Sequence, residues 1–139
     1  MSFVLAKLRL IIDSANPINL DVLNVILGNE STLTTTCWPI NKRKLQLLVI
    51  ESPCDEKNPV EEHLHALIDI FDCYKDGILT CFPPDTAILS RDLLVQFIRV
   101  SDRGFELPSA LICKMAERDM AFIYEYIDVG TNCEKAIFI

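Results

Sequence analysis

The segment of residues 3–12 repeats its side-chain character with a period of two. Every even-numbered residue in it is apolar, whereas Lys7 and Arg9 interrupt the odd-numbered side. Because successive side chains of a strand point to opposite faces of a sheet, this pattern predicts a strand. We expect its even-numbered face to lie in the core.

A short helix is predicted between Asn16 and Gly28. Asn16 can cap the first turn, Pro17 suits the first helical position, and Gly28 suits the end. Between them the apolar residues recur at helical spacing, at Leu20, Leu23 and Leu27.

A hairpin is predicted next. Residues 32–38 are rich in threonine and end on Trp38, and residues 45–51 form an apolar run of strand length. β-Branched and aromatic residues favour strands, and the intervening residues 39–42 contain a proline and an asparagine. We expect these four residues to form the turn and Pro53 to close the second strand.

The long helix is the clearest prediction in the chain. Asn58 and Pro59 open it, Glu61 stands at the capping-box position, and Gly77 is expected to end it. Its apolar residues lie on one face at helical spacing, at Val60, Leu64, Leu67, Ile68 and Phe71.

Residues 78–89 contain Pro83 and Pro84 and cannot form one continuous regular element. Beyond them, alternating and helical patterns predict a strand over 92–100, a helix over 107–117 opened by Pro108, a strand over 120–127, and a short edge strand over 136–139.

The predicted order is therefore β-α-β-β-α-β-α-β, within a single domain that spans residues 1–139. A chain of 139 residues can bury one sizeable core without disulfides or a metal. Strands joined by a hairpin and by helices predict an α+β fold, with an antiparallel sheet and the helices packed on one of its faces.

The formal charge of −7 argues against nucleic acid, because phosphate binding depends on clustered Lys and Arg. The one basic cluster, residues 42–44, lies at the predicted hairpin turn, where three charges are ordinarily just solvated. The acidic balance leaves a basic protein as a candidate partner.

We expect a cytoplasmic protein without a cofactor. The apolar run at residues 4–12 is interrupted by charges and is shorter than the about 20 residues that cross a bilayer. Closely spaced cysteine pairs, which zinc sites use, are absent from the sequence, so the thiols are expected to be buried side chains plus one or two exposed groups. The cysteines are Cys37, Cys54, Cys73, Cys81, Cys113 and Cys133.

His63 and His65 stand beside two glutamates and could suggest a metal site. Residues two apart on a helix point away from each other, so these histidines cannot share a ligand. His63 flanks the buried stripe of the long helix, and we expect it to hydrogen-bond toward the sheet.

The aromatic residues Phe122, Tyr124 and Tyr126 alternate along the predicted strand 120–127. They could line a wall of the core, a subunit interface or a stacking platform for a ligand. We take these three residues and His63 as the candidate interaction surface. A cysteine enzyme using Cys133 is a weaker hypothesis, because both histidines lie on a helix.

Four blocks of the chain resemble a bacterial family known as domain of unknown function 4279. They are the opening strand with residues 16–28, the helix start Pro59-Val60-Glu61-Glu62-His63-Leu64, the strand 93–100, and residues 105–108 leading through 115–117 into the strand 122–127. The resemblance implies a ferredoxin-like sheet in a cytosolic bacterial protein, and it implies no activity. Small acidic proteins of this kind resemble immunity proteins encoded beside bacterial toxins.

The leading hypothesis is a non-catalytic protein-binding module, such as an immunity or antitoxin-like protein, that binds another protein or a second copy of itself. The alternative is a small-ligand-binding regulatory domain, possibly dimeric, with an apolar pocket beside Tyr124 or Tyr126. Neither hypothesis invokes a catalytic residue, a metal, a membrane or a nucleic acid.

Overall fold

A computed structural model describes residues 2–13, 25, 35–40, 45–80, 87–100, 104–127 and 137–138. The predicted α+β class is confirmed. Apart from residue 25, the helix predicted over 16–28 lies outside the described residues. The elements in chain order are β1 (Phe3–Asp13), β2 (Thr35–Ile40), β3 (Leu45–Glu51), α1 (Val60–Thr80), β4 (Ala87–Ile98), α2 (Ser109–Glu117), β5 (Ala121–Ile127) and β6 (Ile137–Phe138).

The six strands form one sheet in the order β2-β3-β1-β4-β5-β6. β1 lies between β3 and β4 and is antiparallel to both, β2 and β3 form the predicted hairpin, and β6 pairs with β5 at the edge. β4 and β5 run parallel, so the prediction of a wholly antiparallel sheet is wrong at this pair. The crossover through α2 returns the chain to the end of the sheet from which β4 began, and this makes β5 parallel to β4.

The even-numbered face of β1 lies in the core, as its alternation predicts. Leu8, Leu10 and Ile12 are fully buried. Across the sheet, Leu8 lies between Ile50 and Leu93, so one row of apolar side chains spans three strands. The two described helices contribute Leu64, Leu67, Ile68, Phe71, Leu111 and Met115 to the same core cluster.

β4 begins at Ala87, five residues before the predicted start. The sequence pattern did not reveal these residues, because a bulge interrupts the alternation of the strand. Ile11 pairs with Ser90 whereas Ile12 pairs with Ile88, which leaves Leu89 as an extra residue. The extra residue returns Ile88 to the core side, where it packs against the cluster, and Leu89 is 56% exposed. A strict period of two therefore ends at the bulge.

Two predicted boundaries are wrong. Pro39 was predicted in the turn, but it lies in β2 and pairs with Gln46. β2 is at the edge of the sheet, where a residue without an amide hydrogen is tolerated. Gly77 was predicted to end the long helix, but α1 continues to Thr80. A glycine inside a helix costs only about 1 kcal/mol relative to alanine, which does not by itself end the helix.

Neither helix in the described part of the chain is long and apolar enough to cross a membrane.

α2 ends in a left-handed turn that joins it tightly to β5. The amide of Asp119 donates to the carbonyl of Ala116 at 3.1 Å, and the amide of Met120 donates to that of Met115 at 3.0 Å. These two bonds form a Schellman motif, and the buried side chains of Met115 and Met120 supply its apolar contact. Asp119 has a φ of 58°, a conformation that glycine adopts without steric cost.

Replacing Asp119 with glycine should stabilise the protein by about 0.5–1 kcal/mol, since it removes the left-handed cost and a carboxylate from the negative end of α2. Thermal unfolding should show a rise in Tm of roughly 2–4 °C. Asp119→Ala is the matched control, because it removes the carboxylate but keeps Cβ in the strained conformation. A glycine variant no more stable than the alanine variant would contradict the backbone explanation.

Candidate functional site

The aromatic residues proposed as an interaction surface lie mainly in the core. Phe122 is 1% exposed, Tyr126 is buried, and Tyr124 is half-buried. Tyr126 stacks on Phe97 at a centroid distance of 4.8 Å, and Phe105 lies edge-on to Tyr124 at 4.9 Å. The stripe is thus a wall of the core, and Tyr124 alone among its members keeps appreciable exposed area.

His63 is also buried, at 1% exposure, so it offers no surface to a partner. Its Nδ1 shares a 2.7 Å hydrogen bond with the Oγ of Ser52, just beyond the end of β3. The amide of Ser52 in turn donates to the carbonyl of Ala6 on β1 at 2.9 Å. The expected hydrogen bond toward the sheet is therefore present, and it links the start of α1 to the end of β3 and, through Ser52, to β1.

A small cavity of about 110 Å³ adjoins this pair, lined in part by Cys54 and Glu56. The Oγ of Ser52 also accepts a 3.2 Å hydrogen bond from the amide of Cys54. Among the described residues, no group hydrogen-bonds to Nε2 of His63. The Ser52–His63 bond joins the residue after β3 to the first turn of α1 and so acts as a structural link.

Burial lowers the pKa of His63 below its ordinary value of 6.5. Backbone groups of Asp55 and Asn58 and the carboxylate charges of Glu62 and Asp55 favour the charged form, but they offset the burial only in part. His63 therefore resists protonation in the folded protein more than in the unfolded chain.

This difference makes stability depend on pH. Well above pH 6.5, His63 is neutral in both the folded and the unfolded state. As the pH falls through 6.5, His63 of the unfolded chain takes up a proton, whereas folded His63 stays neutral because its pKa is lower. The free energy of unfolding therefore decreases until the pH reaches the folded pKa. Urea unfolding between pH 7.5 and 5.5 should show this loss. His63→Gln should flatten the dependence and His65→Gln should retain it. Equal slopes for wild type and His63→Gln would contradict the assignment.

The opposite face of the sheet carries a partly exposed group of polar residues. Arg9 and Asp92, neighbours on β1 and β4, form a bidentate ion pair with distances of 2.7 and 3.1 Å. Both described helices pack on the other face. We call this group the sheet patch; it consists of Leu5, Lys7, Arg9, Asp92, Gln96 and Glu125.

The sheet patch mixes charge with apolar area. Gln96 donates a hydrogen bond to Glu125 across the parallel pair of strands, and Leu5 is 36% exposed. Val49 and Ile123 on the same face are buried. Charged groups in fixed positions can give such a surface electrostatic complementarity to a protein partner.

A second concave region, which we call the arginine cleft, lies between α1, α2 and β4. It has a volume of about 370 Å³ and is lined by Phe71, Lys75, Arg91, Ala116, Glu117, Arg118 and Asp119. Arg118 is fully engaged there: it forms two 2.7 Å bonds with Asp72 and donates to the carbonyl of Lys114 at 2.8 Å. The hydrogen bond from Arg118 lowers the pKa of Asp72.

Arg91 was not identified from the sequence, because the predicted strand began at residue 92. It has the same parity as Leu93 and Val95, whose side chains are fully buried in the core. A charged residue in phase with a buried apolar row is an observable sequence pattern, and it could have identified Arg91 had the strand been extended by one residue.

The described residues contain no group of three or more His, Cys, Asp or Glu side chains placed to hold a metal ion. Cys73 and Cys113 are exposed thiols and Cys54 is a half-buried one. Cys133 lies outside the described residues, so the hypothesis that it is a nucleophile stays a prediction.

No known protein family, curated protein or solved structure matches this chain. The similarity to domain of unknown function 4279 therefore remains a prediction.

Proposed function

We propose that this chain is a non-catalytic protein-binding module and that the sheet patch is its binding surface. The observation that supports this most is the bidentate Arg9–Asp92 ion pair, whose side chains are 29% and 23% exposed on a face where no described helix packs. An ion pair in this position is accessible to a partner yet held in a fixed geometry by two strands.

The composition of the patch favours a protein over other partners. Lys7 and Arg9 are balanced by Asp92 and Glu125, so the patch lacks the uniform positive charge that nucleic acid requires. Leu5 supplies apolar area beside these charges. Because the whole chain carries a charge of −7, a partner with a basic surface would associate faster than an acidic one.

The narrower form of the proposal is a cytoplasmic immunity or antitoxin-like protein of bacterial origin. The resemblance to domain of unknown function 4279 motivates it, and the three described free thiols suit a reducing compartment. The strand order β2-β3-β1-β4, with α1 between β3 and β4, supports the ferredoxin-like arrangement that the resemblance implies. A neighbouring gene whose product is toxic unless this chain is co-expressed would support this form, and neighbours without a toxic product would count against it.

The alternative function, a small-ligand-binding regulatory domain, is favoured by one observation, the arginine cleft. The cavities described here are not lined by Tyr124 or Tyr126, where the sequence placed the ligand. The cleft lies instead between the C-terminal end of α2 and the middle of α1.

The patch is tested by two substitutions of matched chemistry. Leu5 on the patch and Ile112 on α2 are 36% and 40% exposed, so Leu5→Arg and Ile112→Arg add the same charge at similar exposure. The tagged full chain captures partners from the cells that encode it, and the affinity of each purified variant for the captured protein is then measured by calorimetry.

We expect Leu5→Arg to weaken binding at least tenfold, about 1.4 kcal/mol, and Ile112→Arg to change it less than twofold. Both variants should keep the wild-type circular dichroism. Equal affinities for the two variants would contradict the patch as the binding surface. A wild-type chain that captures no protein and is monomeric would contradict the proposed function.

A further inference from the structure

We propose that the arginine cleft binds a small oxyanion, a phosphate or carboxylate group, with Arg91 and Lys75 as its cationic partners. This inference rests on the ligand-binding alternative above and names its ligand class. It does not depend on the sheet patch, which lies on the opposite face of the sheet.

Arg91 is placed by the core. It pairs with Leu10 on β1, and Leu10 in turn pairs with Leu48 on β3; both leucines are fully buried. The register thus directs the apolar stem of Arg91 under the helices, and its charged end reaches the cleft between α1 and α2.

The charge of Arg91 has no carboxylate partner among the described residues. Nη1 donates to the carbonyl of Arg118 at 3.1 Å, and Nε is buried without an acceptor. A guanidinium carries five donors, and among the described residues the half-buried Arg91 has one hydrogen-bond acceptor and no counter-ion. An oxyanion in the cleft would supply both the charge and the acceptors that Arg91 lacks.

Lys75 brings a second cation to the same place. The Nζ of Lys75 and the Cζ of Arg91 each lie 5.7 Å from the centroid of the Phe71 ring. The ring attracts each cation, and both side chains line the cleft, so an anion bound there would interact with both charges. Arg118 does not fill this role, because Asp72 already neutralises it.

The size and walls of the cleft suit a small ligand. Its volume of about 370 Å³ is near the lower end of the range for ligand sites. Two carboxylates, those of Glu117 and Asp119, also line it, and the Glu117 side chain is 72% exposed. They disfavour a large polyanion, so the structure favours a compact oxyanion held on the Phe71 side of the cleft.

The test is thermal unfolding and calorimetry of the full chain with sodium phosphate and with sodium citrate, each against sodium chloride at equal ionic strength. We expect at least one of these oxyanions to raise the Tm and to give a measurable Kd. A larger effect of phosphate assigns a phosphoryl ligand, and a larger effect of citrate assigns a carboxylate ligand.

Arg91→Met keeps the apolar stem and removes the charge. We expect it to weaken oxyanion binding at least tenfold, because it removes the guanidinium that would contact the oxyanion. Lys75→Met, on the surface of α1, should weaken binding as well and provides the test should Arg91→Met fail to fold. Lys57→Met removes an exposed positive charge that does not line the cleft, and it should leave binding unchanged.

Two results would overturn the proposal. One is the absence of any rise in Tm with either oxyanion; the other is a rise that persists in both Arg91→Met and Lys75→Met. A rise in Tm with an uncharged metabolite that persists in both variants would also overturn the oxyanion assignment, although the ligand-binding alternative would then stand. Loss of partner binding in Leu5→Arg with oxyanion binding intact would show that the two surfaces act separately.

Discussion

The position of β1 between β3 and β4 is the constraint on which the rest of the structure depends. Its core face is fully buried at Leu8, Leu10 and Ile12, and its amides and carbonyls pair with a strand on each side. Because side chains alternate, a slip of one residue would exchange the two faces of the strand and place Lys7 and Arg9 beneath the helices. Burying those two charges would cost free energy, and this cost fixes the register. The register in turn positions the side chains of the sheet patch and of the arginine cleft.

The two surfaces differ in what they cost the fold. Arg9 and Asp92 are partly exposed and neutralise each other, so this part of the sheet patch costs the fold little stability. Arg91 is the opposite case, a half-buried cation in phase with the core residues of β4, whose Nε has no acceptor among the described residues. Residues whose placement costs stability and brings no structural gain are often part of a functional site. His63 likewise leaves a buried nitrogen, Nε2, without a hydrogen-bond partner among the described residues, but its bond to Ser52 links α1 to β3 and so brings a structural gain.

The parts of the fold that depend on local chemistry were predictable from the sequence. Three features depended only on the residues of the element itself or of its direct neighbour in the chain. They are the alternation of β1, the start of the long helix after Pro59, and the hairpin before that helix. The parallel orientation of β4 and β5 was predictable from the predicted strand-helix-strand order, because a helical crossover joins parallel strands, but that order did not show that the two strands are neighbours in the sheet. The bulge at Leu89 hid the first five residues of β4, the last of which is Arg91. Burial of Phe122 and Tyr126 followed from strand parity, but the sequence could not decide between core and interface because both use aromatic residues.

Nuclear Overhauser effects between backbone protons of neighbouring strands test the register of β1 most directly. In the isotope-labelled protein, the account predicts contacts that place Leu8 opposite Ile50 on one side and opposite Leu93 on the other, with Leu10 opposite Arg91. Contacts that place Leu8 opposite Asp92 or Leu94 would contradict it. A shift of one residue would move Arg91 to the opposite face of the sheet, and neither the arginine cleft nor the sheet patch would then form.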